Sequence, residues 1–187
     1  MSGSRPPASE VLDKLGILHD LRSLDPHLAG TPPLGVDLPD SDIDILCHAP
    51  DPLAACRLLW ACFHARRGFS VRQWRNGSRP VIARFEALGW QIEVFAAPEP
   101  VARQAGWRHF QVERRLLELG GPPLREAVLA LRRQGLKTEP AFARLLGLPG
   151  DPFCAMLDLA EADDDGLAAH LARAGFHPVA GAAHRRR

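Results

Sequence analysis

Two aspartates that alternate with two isoleucines, Asp42-Ile43-Asp44-Ile45, restrict the local structure more than any other part of the chain. Successive side chains of a β-strand point to opposite faces, so the alternation predicts a strand with both carboxylates on one face and both isoleucines in the core. Adjacent carboxylates repel each other unless a cation lies between them. Mg²⁺ is commonly held by one or two carboxylates together with substrate phosphates, so the pair predicts a metal that is bound with a nucleotide.

A second acidic strand is predicted at residues 90–95, where apolar, β-branched and aromatic residues surround a single acid, Glu93. If this strand lies beside the one that carries Asp44, Glu93 reaches the same metals. Glu93 is therefore the third candidate ligand after Asp42 and Asp44.

A glycine turn and a short proline-containing motif precede the two aspartates. The residues concerned, with the distal acid, are Gly30-Thr31, Gly35, Pro39-Asp40-Ser41, Asp42-Ile43-Asp44 and Glu93. Together they resemble the signature of the DNA polymerase β-type nucleotidyltransferase superfamily over about the first hundred residues. Within that superfamily the chain is most similar to an uncharacterised bacterial family that is catalogued as a domain of unknown function.

The resemblance implies an enzyme that moves a nucleoside monophosphate from a nucleoside triphosphate to an unidentified small-molecule, RNA or protein acceptor. Asp42 and Asp44 would hold the metal bound to the triphosphate, and with Glu93 they would hold a second metal at the acceptor, in both cases Mg²⁺ or Mn²⁺. Glycine permits close approach of the backbone to phosphates. The implied nucleotide-binding residues are Gly30, Thr31, Gly35 and Ser41.

The chain also departs from the superfamily pattern. Thr31 replaces the usual serine, and Pro32 and Pro33 stand where small bacterial members often carry an arginine. Proline offers neither a side-chain donor nor a backbone N–H to a phosphate. These departures motivate an alternative, a catalytically inactive nucleotide- or partner-binding module on the same fold. A further alternative is a structural calcium or capping cluster of Asp40, Asp42 and Asp44.

The pattern of apolar residues predicts an α+β chain. Residues 1–98 are predicted to form a nucleotidyltransferase-like core, a small mixed β-sheet flanked by helices. Residues 99–182 show helical periodicity between glycines and prolines and predict a C-terminal helical region. Residues 183–187 form a basic tail that we expect to be disordered.

Three basic residues of the helical region are candidate substrate-binding residues. Arg108 and His109 lie on a helix that begins soon after the acidic strand, and a guanidinium group suits phosphate or carboxylate. Lys137 is one of only two lysines in the chain and offers a phosphate a point charge. The alternative for Arg108 and His109 is a solvated helix face.

Composition sets limits on the partners. The net charge of +1 does not indicate a general nucleic-acid-binding protein. No apolar run is long enough to span a bilayer and no signal segment begins the chain, so we expect no membrane partner and a cytoplasmic location. The cysteines Cys47, Cys56, Cys62 and Cys154 lack zinc-ligand spacing, which predicts thiols in a reducing compartment.

Overall fold

A computed structural model describes residues 5–177 of the chain. The strands are β1 (His27–Ala29), β2 (Ile43–His48), β3 (Arg67–Gln73), β4 (Val81–Ala87) and β5 (Trp90–Ala97). The helices are α1 (Ala8–Leu15), α2 (Ile17–Asp20), α3 (Pro52–Phe63), α4 (Ala105–Arg133), α5 (Thr138–Leu146), α6 (Pro152–Leu159) and α7 (Asp164–Arg173). Short 3₁₀ turns lie at Arg22–Leu24 and Val101–Arg103.

The strands form one mixed sheet in the order β1-β2-β5-β4-β3. β2 and β5 pair in parallel, and the other neighbours are antiparallel. One face of the sheet is apolar and packs with α1 and α3 in a single core. The buried members of this core on the central strands and helices are Val11, Leu12, Ile43, Ile45, Cys47, Ala55, Leu59, Phe63, Ala83, Phe85, Ile92 and Val94.

Short local motifs fix the ends of the elements around the sheet. α3 begins at Pro52 because the Asp51 side chain accepts hydrogen bonds from the N–H groups of Leu53 (2.9 Å) and Ala54 (3.1 Å). β4 and β5 are joined by Leu88 and Gly89, which both have positive φ angles, 49° and 83°. Such angles at both central residues suit a two-residue hairpin turn, which sets the register between the two strands.

The contacts within the chain divide it into two compact units. The first comprises Asp40–Trp107 and the described part of Met1–Pro33. The second comprises Leu34–Pro39 and the described part of Arg108–Arg187. In the second unit α4 is interrupted at Gly121, where φ is 62° and ψ is −157°, directly before Pro122 and Pro123. Proline disrupts a helix interior because it lacks the N–H donor and its ring meets the preceding turn.

The predicted fold class is confirmed, since a mixed sheet flanked by helices is followed by helices alone. The predicted domain division after residue 98 stays a prediction, and the contacts place the change between Trp107 and Arg108. The basic tail at 183–187 lies outside the described residues. Among the helices within 5–177, none is both long enough and apolar enough to cross a membrane.

Candidate active site

The two acidic strands are neighbours in the sheet. Asp44 of β2 lies directly opposite Glu93 of β5 in their parallel pairing. Their flanking residues Ile43 and Ile92 are fully buried on the other face, whereas Asp44 and Glu93 are both partly exposed. Because residues opposite each other in adjacent strands project from the same face, Asp44 and Glu93 share the polar side of the sheet.

Asp42 lies one residue before β2 and keeps the alternation of the strand. Ser41 and Ile43 on either side of it are buried, and Asp42 is partly exposed. The carbonyl of Ser41 accepts a hydrogen bond of 2.7 Å from Arg5. The guanidinium group of Arg5 lies over the ring of Trp90 at 3.3 Å from the ring centroid. The start of the Asp-bearing strand is thus anchored to the edge of β5.

The glycine turn lies against the second aspartate. Ala29 pairs with Asp44 between β1 and β2, and Gly30 follows with a φ angle of 72°. A Cβ atom at Gly30 would lie 2.2 Å from Asp44 Oδ2. Only glycine fits here, because its φ angle is positive and a side chain would overlap the carboxylate. Gly30 therefore borders the acidic face, and Thr31, which follows it, is partly exposed. The roles of Gly30 and Thr31 in nucleotide binding stay predictions.

Sequence reasoning missed one further charged residue on this face of the sheet, Arg84. Arg84 of β4 lies opposite Glu93 in the antiparallel pairing of β4 and β5. Its Nε and one terminal nitrogen both contact Glu93 Oε2. The signal was available, since Arg84 is the single charged residue within the stretch Val81-Ile82-Ala83-Arg84-Phe85. A charged residue at an alternate position of such a strand indicates a partner on the polar face.

The donor groups on this face suit a hard divalent cation. Asp42 and Asp44 offer carboxylate oxygens, which Mg²⁺ prefers, and Mg²⁺ often uses only one or two protein carboxylates. Among residues 5–177 no group of three or more His, Cys, Asp and Glu side chains is arranged to hold a metal. The carboxylate of Glu93 is paired with Arg84. Asp42 and Asp44 are therefore the carboxylates that suit a Mg²⁺ ion on this face. A metal at these two residues and a three-carboxylate site that includes Glu93 both stay predictions.

Gly35 falls in the second unit, within the segment Leu34–Pro39. Its φ angle is 67°, and an added Cβ would lie 2.8 Å from a terminal nitrogen of Arg125. Arg125 donates to the carbonyl of Leu34, and Arg132 donates to the carbonyl of Val36 at 2.6 Å. These contacts indicate that Gly35 lets the segment Leu34–Pro39 pack closely against α4. The role of Gly35 in nucleotide binding stays a prediction.

The three candidate substrate-binding residues also lie in the second unit. Arg108 donates to the carbonyl of Leu157 (3.1 Å) and to Glu161 (2.5 Å), and it is held by these contacts at α6. His109 is 8% exposed; its Nε2 donates to the carbonyl of Phe153 at 3.0 Å.

Lys137 is exposed and is the N-cap residue of α5. Among the three, Lys137 presents its side chain most openly to solvent. The structure gives Arg108 and His109 partners within the protein, and their roles in substrate binding stay predictions.

Cys47 on β2 is not suited to act as a nucleophile or as a metal ligand. Burial and, to a lesser extent, the charge of Asp25 raise the pKa of the Cys47 thiol to about 12. The carbonyl of Cys47 accepts a hydrogen bond of 2.9 Å from Gln104. A neutral thiol is a poor nucleophile and a poor metal ligand, so Cys47 is a core residue.

The fold is shared with solved nucleotidyltransferases. The Cid1 poly(U) polymerase with MgGTP bound superposes with a TM-score of 0.55 at 12% identity, covering 79% of this chain and 50% of that one. A second structure of Cid1, described by the structural plasticity that provides a basis for its RNA terminal uridylyl transferase activity, superposes with a TM-score of 0.53 at 13% identity, covering 75% of this chain and 47% of that one. This chain spans about half the length of both. The sheet and helices therefore define a nucleotidyltransferase-like fold.

The family is narrower than the fold. The model of the family described as "Domain of unknown function (DUF4269)" matches residues 10–159. The chain belongs to this family, which agrees with the predicted similarity to a family catalogued as a domain of unknown function. No curated protein matches the chain.

Proposed function

We propose that this protein is a metal-dependent nucleotidyltransferase that moves a nucleoside monophosphate from a nucleoside triphosphate to an acceptor. The observation that carries the proposal is the alignment of three features on one face of the sheet. Asp44 lies opposite Glu93, and the backbone of Gly30 lies against the Asp44 carboxylate. A glycine turn beside paired acids suits a triphosphate and its metal, and the nucleotidyltransferase-like fold supports the same chemistry.

In this proposal Asp42 and Asp44 hold Mg²⁺ or Mn²⁺. The bound ion would neutralise charge on the triphosphate and on the departing pyrophosphate. Gly30 offers its backbone and Thr31 its hydroxyl group to the phosphates, with Ser41 and Gly35 as further nucleotide-binding residues. An oxygen of the acceptor forms a bond to the α-phosphorus while the bond to pyrophosphate breaks. Glu93, the third acid of the face, takes part on the acceptor side.

The acceptor is a small molecule, an RNA or a protein, and its binding is assigned to the helical unit. Arg108, His109 and Lys137 are the candidate residues there. A phosphate or carboxylate of the acceptor would be drawn to their positive charge.

A binding module without transfer is the second candidate function. Two observations favour it. Pro32 and Pro33 remove backbone donors from the glycine turn, and Arg84 holds the third acid in an ion pair. Such a protein would bind a nucleoside triphosphate and its metal and release no pyrophosphate.

Calorimetric titration tests the nucleotide-binding site that both candidate functions share. Each of the four ribonucleoside triphosphates is titrated with Mg²⁺ into the wild type, into the double variant Asp42→Asn with Asp44→Asn, and into a matched control. The control carries Asp13→Asn and Asp158→Asn, which remove two exposed carboxylates from α1 and α6. We expect metal-dependent binding that the acidic-face variant loses and the control retains. Equal binding by all three proteins would overturn the proposal.

Turnover is then measured as pyrophosphate release from the triphosphate that binds, across a panel of acceptors. Release that depends on both an acceptor and Asp42 supports transfer. Binding without release across the whole panel supports the binding module.

A further inference from the structure

The polar face of the sheet carries one continuous row of aligned residues. In the order of the strands from β1 to β3 the row reads Ala29, Asp44, Glu93, Arg84, Ser70. Arg84 is the only positively charged residue of this row. It lies next to Glu93, the third predicted metal ligand. Glu93 therefore has a carboxylate on one side and a guanidinium group on the other.

The pairing of Arg84 with Glu93 is specific in its geometry. Two guanidinium nitrogens, Nε and one terminal nitrogen, converge on the same oxygen, Oε2. The Glu93 side chain is only 18% exposed, and that of Arg84 is 45% exposed. A carboxylate with so little solvent contact needs a nearby positive charge, and here a side chain of the sheet provides it.

A second arginine pair of the same sheet shows what an incidental surface pair looks like. Arg67 Nε lies 3.1 Å from Glu86 Oε2, and these side chains are 87% and 46% exposed. An ion pair that is this open to water contributes little. Arg67 and Glu86 also lie outside the row that contains Asp44, so they serve as an internal comparison.

We propose that Arg84 takes the place of a second metal ion at Glu93, so that the site binds one divalent cation, at Asp42 and Asp44. This inference rests on the proposed function and specifies how many metal ions the site binds. Arg84 acts as a positioning residue, because its guanidinium group contacts and orients the Glu93 carboxylate. A guanidinium group stays charged at every accessible pH and is tethered to β4, so its occupancy does not depend on the metal concentration.

The test counts Mn²⁺ ions per chain by electron paramagnetic resonance of the free ion, with and without a nonhydrolysable nucleoside triphosphate. With the nucleotide present, the wild type is expected to bind about one Mn²⁺. Arg84→Gln frees Glu93 and should bind about two with the nucleotide present. Arg84→Gln combined with Glu93→Gln should return to about one, and the control Arg67→Gln should not differ from the wild type.

A further variant tests the inference without disturbing the arginine. If Glu93 holds no metal in the wild type, Glu93→Gln alone leaves the number of bound Mn²⁺ ions unchanged. Two ions on the wild type, one of which Glu93→Gln removes, would overturn the inference and leave the proposed function intact. Absence of any Mn²⁺ uptake by the wild type with nucleotide would instead overturn the proposed function. Arg84→Gln that still binds a single ion would also overturn the inference.

Discussion

Gly30, which follows β1, packs directly against the Asp44 carboxylate on β2. The glycine turn and the acidic strand therefore form one structural feature. A Cβ atom added to Gly30 would lie 2.2 Å from Asp44 Oδ2 and 3.1 Å from its Cγ. The carboxylate cannot stay where it is if Gly30 gains a side chain. The conformation of Asp44 is therefore coupled to the identity of residue 30.

This contact predicts the effect of Gly30→Ala. We expect the substitution to displace the Asp44 carboxylate and to abolish metal-dependent nucleotide binding, and also to lower the free energy of unfolding. Calorimetry with Mg²⁺ and the preferred triphosphate measures the first effect, and denaturant titration measures the second.

The matched control is Gly16→Ala. Gly16 has a φ angle of 65°, close to the 72° of Gly30, but nothing lies within 4 Å of an added Cβ. Its substitution should cost only the left-handed backbone strain, about 1–2 kcal/mol, and should leave nucleotide binding intact. Equal binding by the two alanine variants would contradict the proposed role of the Gly30 contact.

The sequence predicted the acidic strands because their signal is local. The alternation around Asp42 and Asp44 and the apolar run around Glu93 each specify a strand with a known polar face, whatever the rest of the chain does. The spacing between the motifs resembles that of the DNA polymerase β-type nucleotidyltransferase superfamily. This resemblance predicts that the glycine turn and the two acidic strands form one site.

The partner of Arg84 could not be predicted in the same way. It depends on the register of β4 with β5, which the turn at Leu88 and Gly89 sets, and a shift of one residue would place Arg84 on the other face. The grouping of Leu34–Pro39 with the helical unit is also nonlocal. It depends on arginines about ninety residues further along the chain, at positions 125 and 132.

The hydrogen bonds from Arg125 and Arg132 to the segment Leu34–Pro39 lead to the second prediction. Both donate to backbone carbonyls of the segment, those of Leu34 and Val36. Hydrogen bonds that involve a charged group contribute about 1.5–3 kcal/mol. Arg132→Ala should therefore raise the amide hydrogen exchange of residues 34–39 and lower the free energy of unfolding by an amount of this order.

Arg133→Ala is the control, because Arg133 is exposed on the same helix. It should leave the exchange of residues 34–39 unchanged, as measured by mass spectrometry of the peptide that contains them. If Arg132→Ala and Arg133→Ala gave the same exchange rates, the carbonyl contact would have no part in ordering the segment.

Cys47 gives a third prediction, on reactivity. With a pKa of about 12, about one Cys47 thiol in ten thousand is ionised at pH 8, and its side chain is fully buried. Cys154 is exposed, although its hydrogen bond to Asp151 raises its pKa as well. Iodoacetamide should modify Cys154 in the native protein and spare Cys47. In guanidinium chloride the two should react at similar rates, and mass spectrometry of the two peptides follows both. Rapid native modification of Cys47 would show that β2 opens to solvent.

The last prediction concerns Glu113, a buried acid on α4. The residue is 4% exposed, and Oε1 has no hydrogen-bond partner within the described part of the chain. Burial raises the pKa of Glu113 well above its ordinary value, the charge of Glu139 raises it further, and Arg132 lowers it. The native state therefore favours the protonated form. The contribution of Glu113 to stability is fully present below its unfolded pKa and is lost as the pH rises through the higher folded pKa.

Glu113→Gln removes this titration. Relative to the wild type, the variant should gain stability as the pH is raised from about 4 to 8, by about 1.4 kcal/mol for every unit by which folding raises the pKa. The measurement is the free energy of unfolding by denaturant at a series of pH values. Glu126→Gln removes an exposed carboxylate from the same helix and should show no such trend. A difference between Glu113→Gln and the wild type that stays constant with pH would show that Glu113 titrates alike in the folded and unfolded chains.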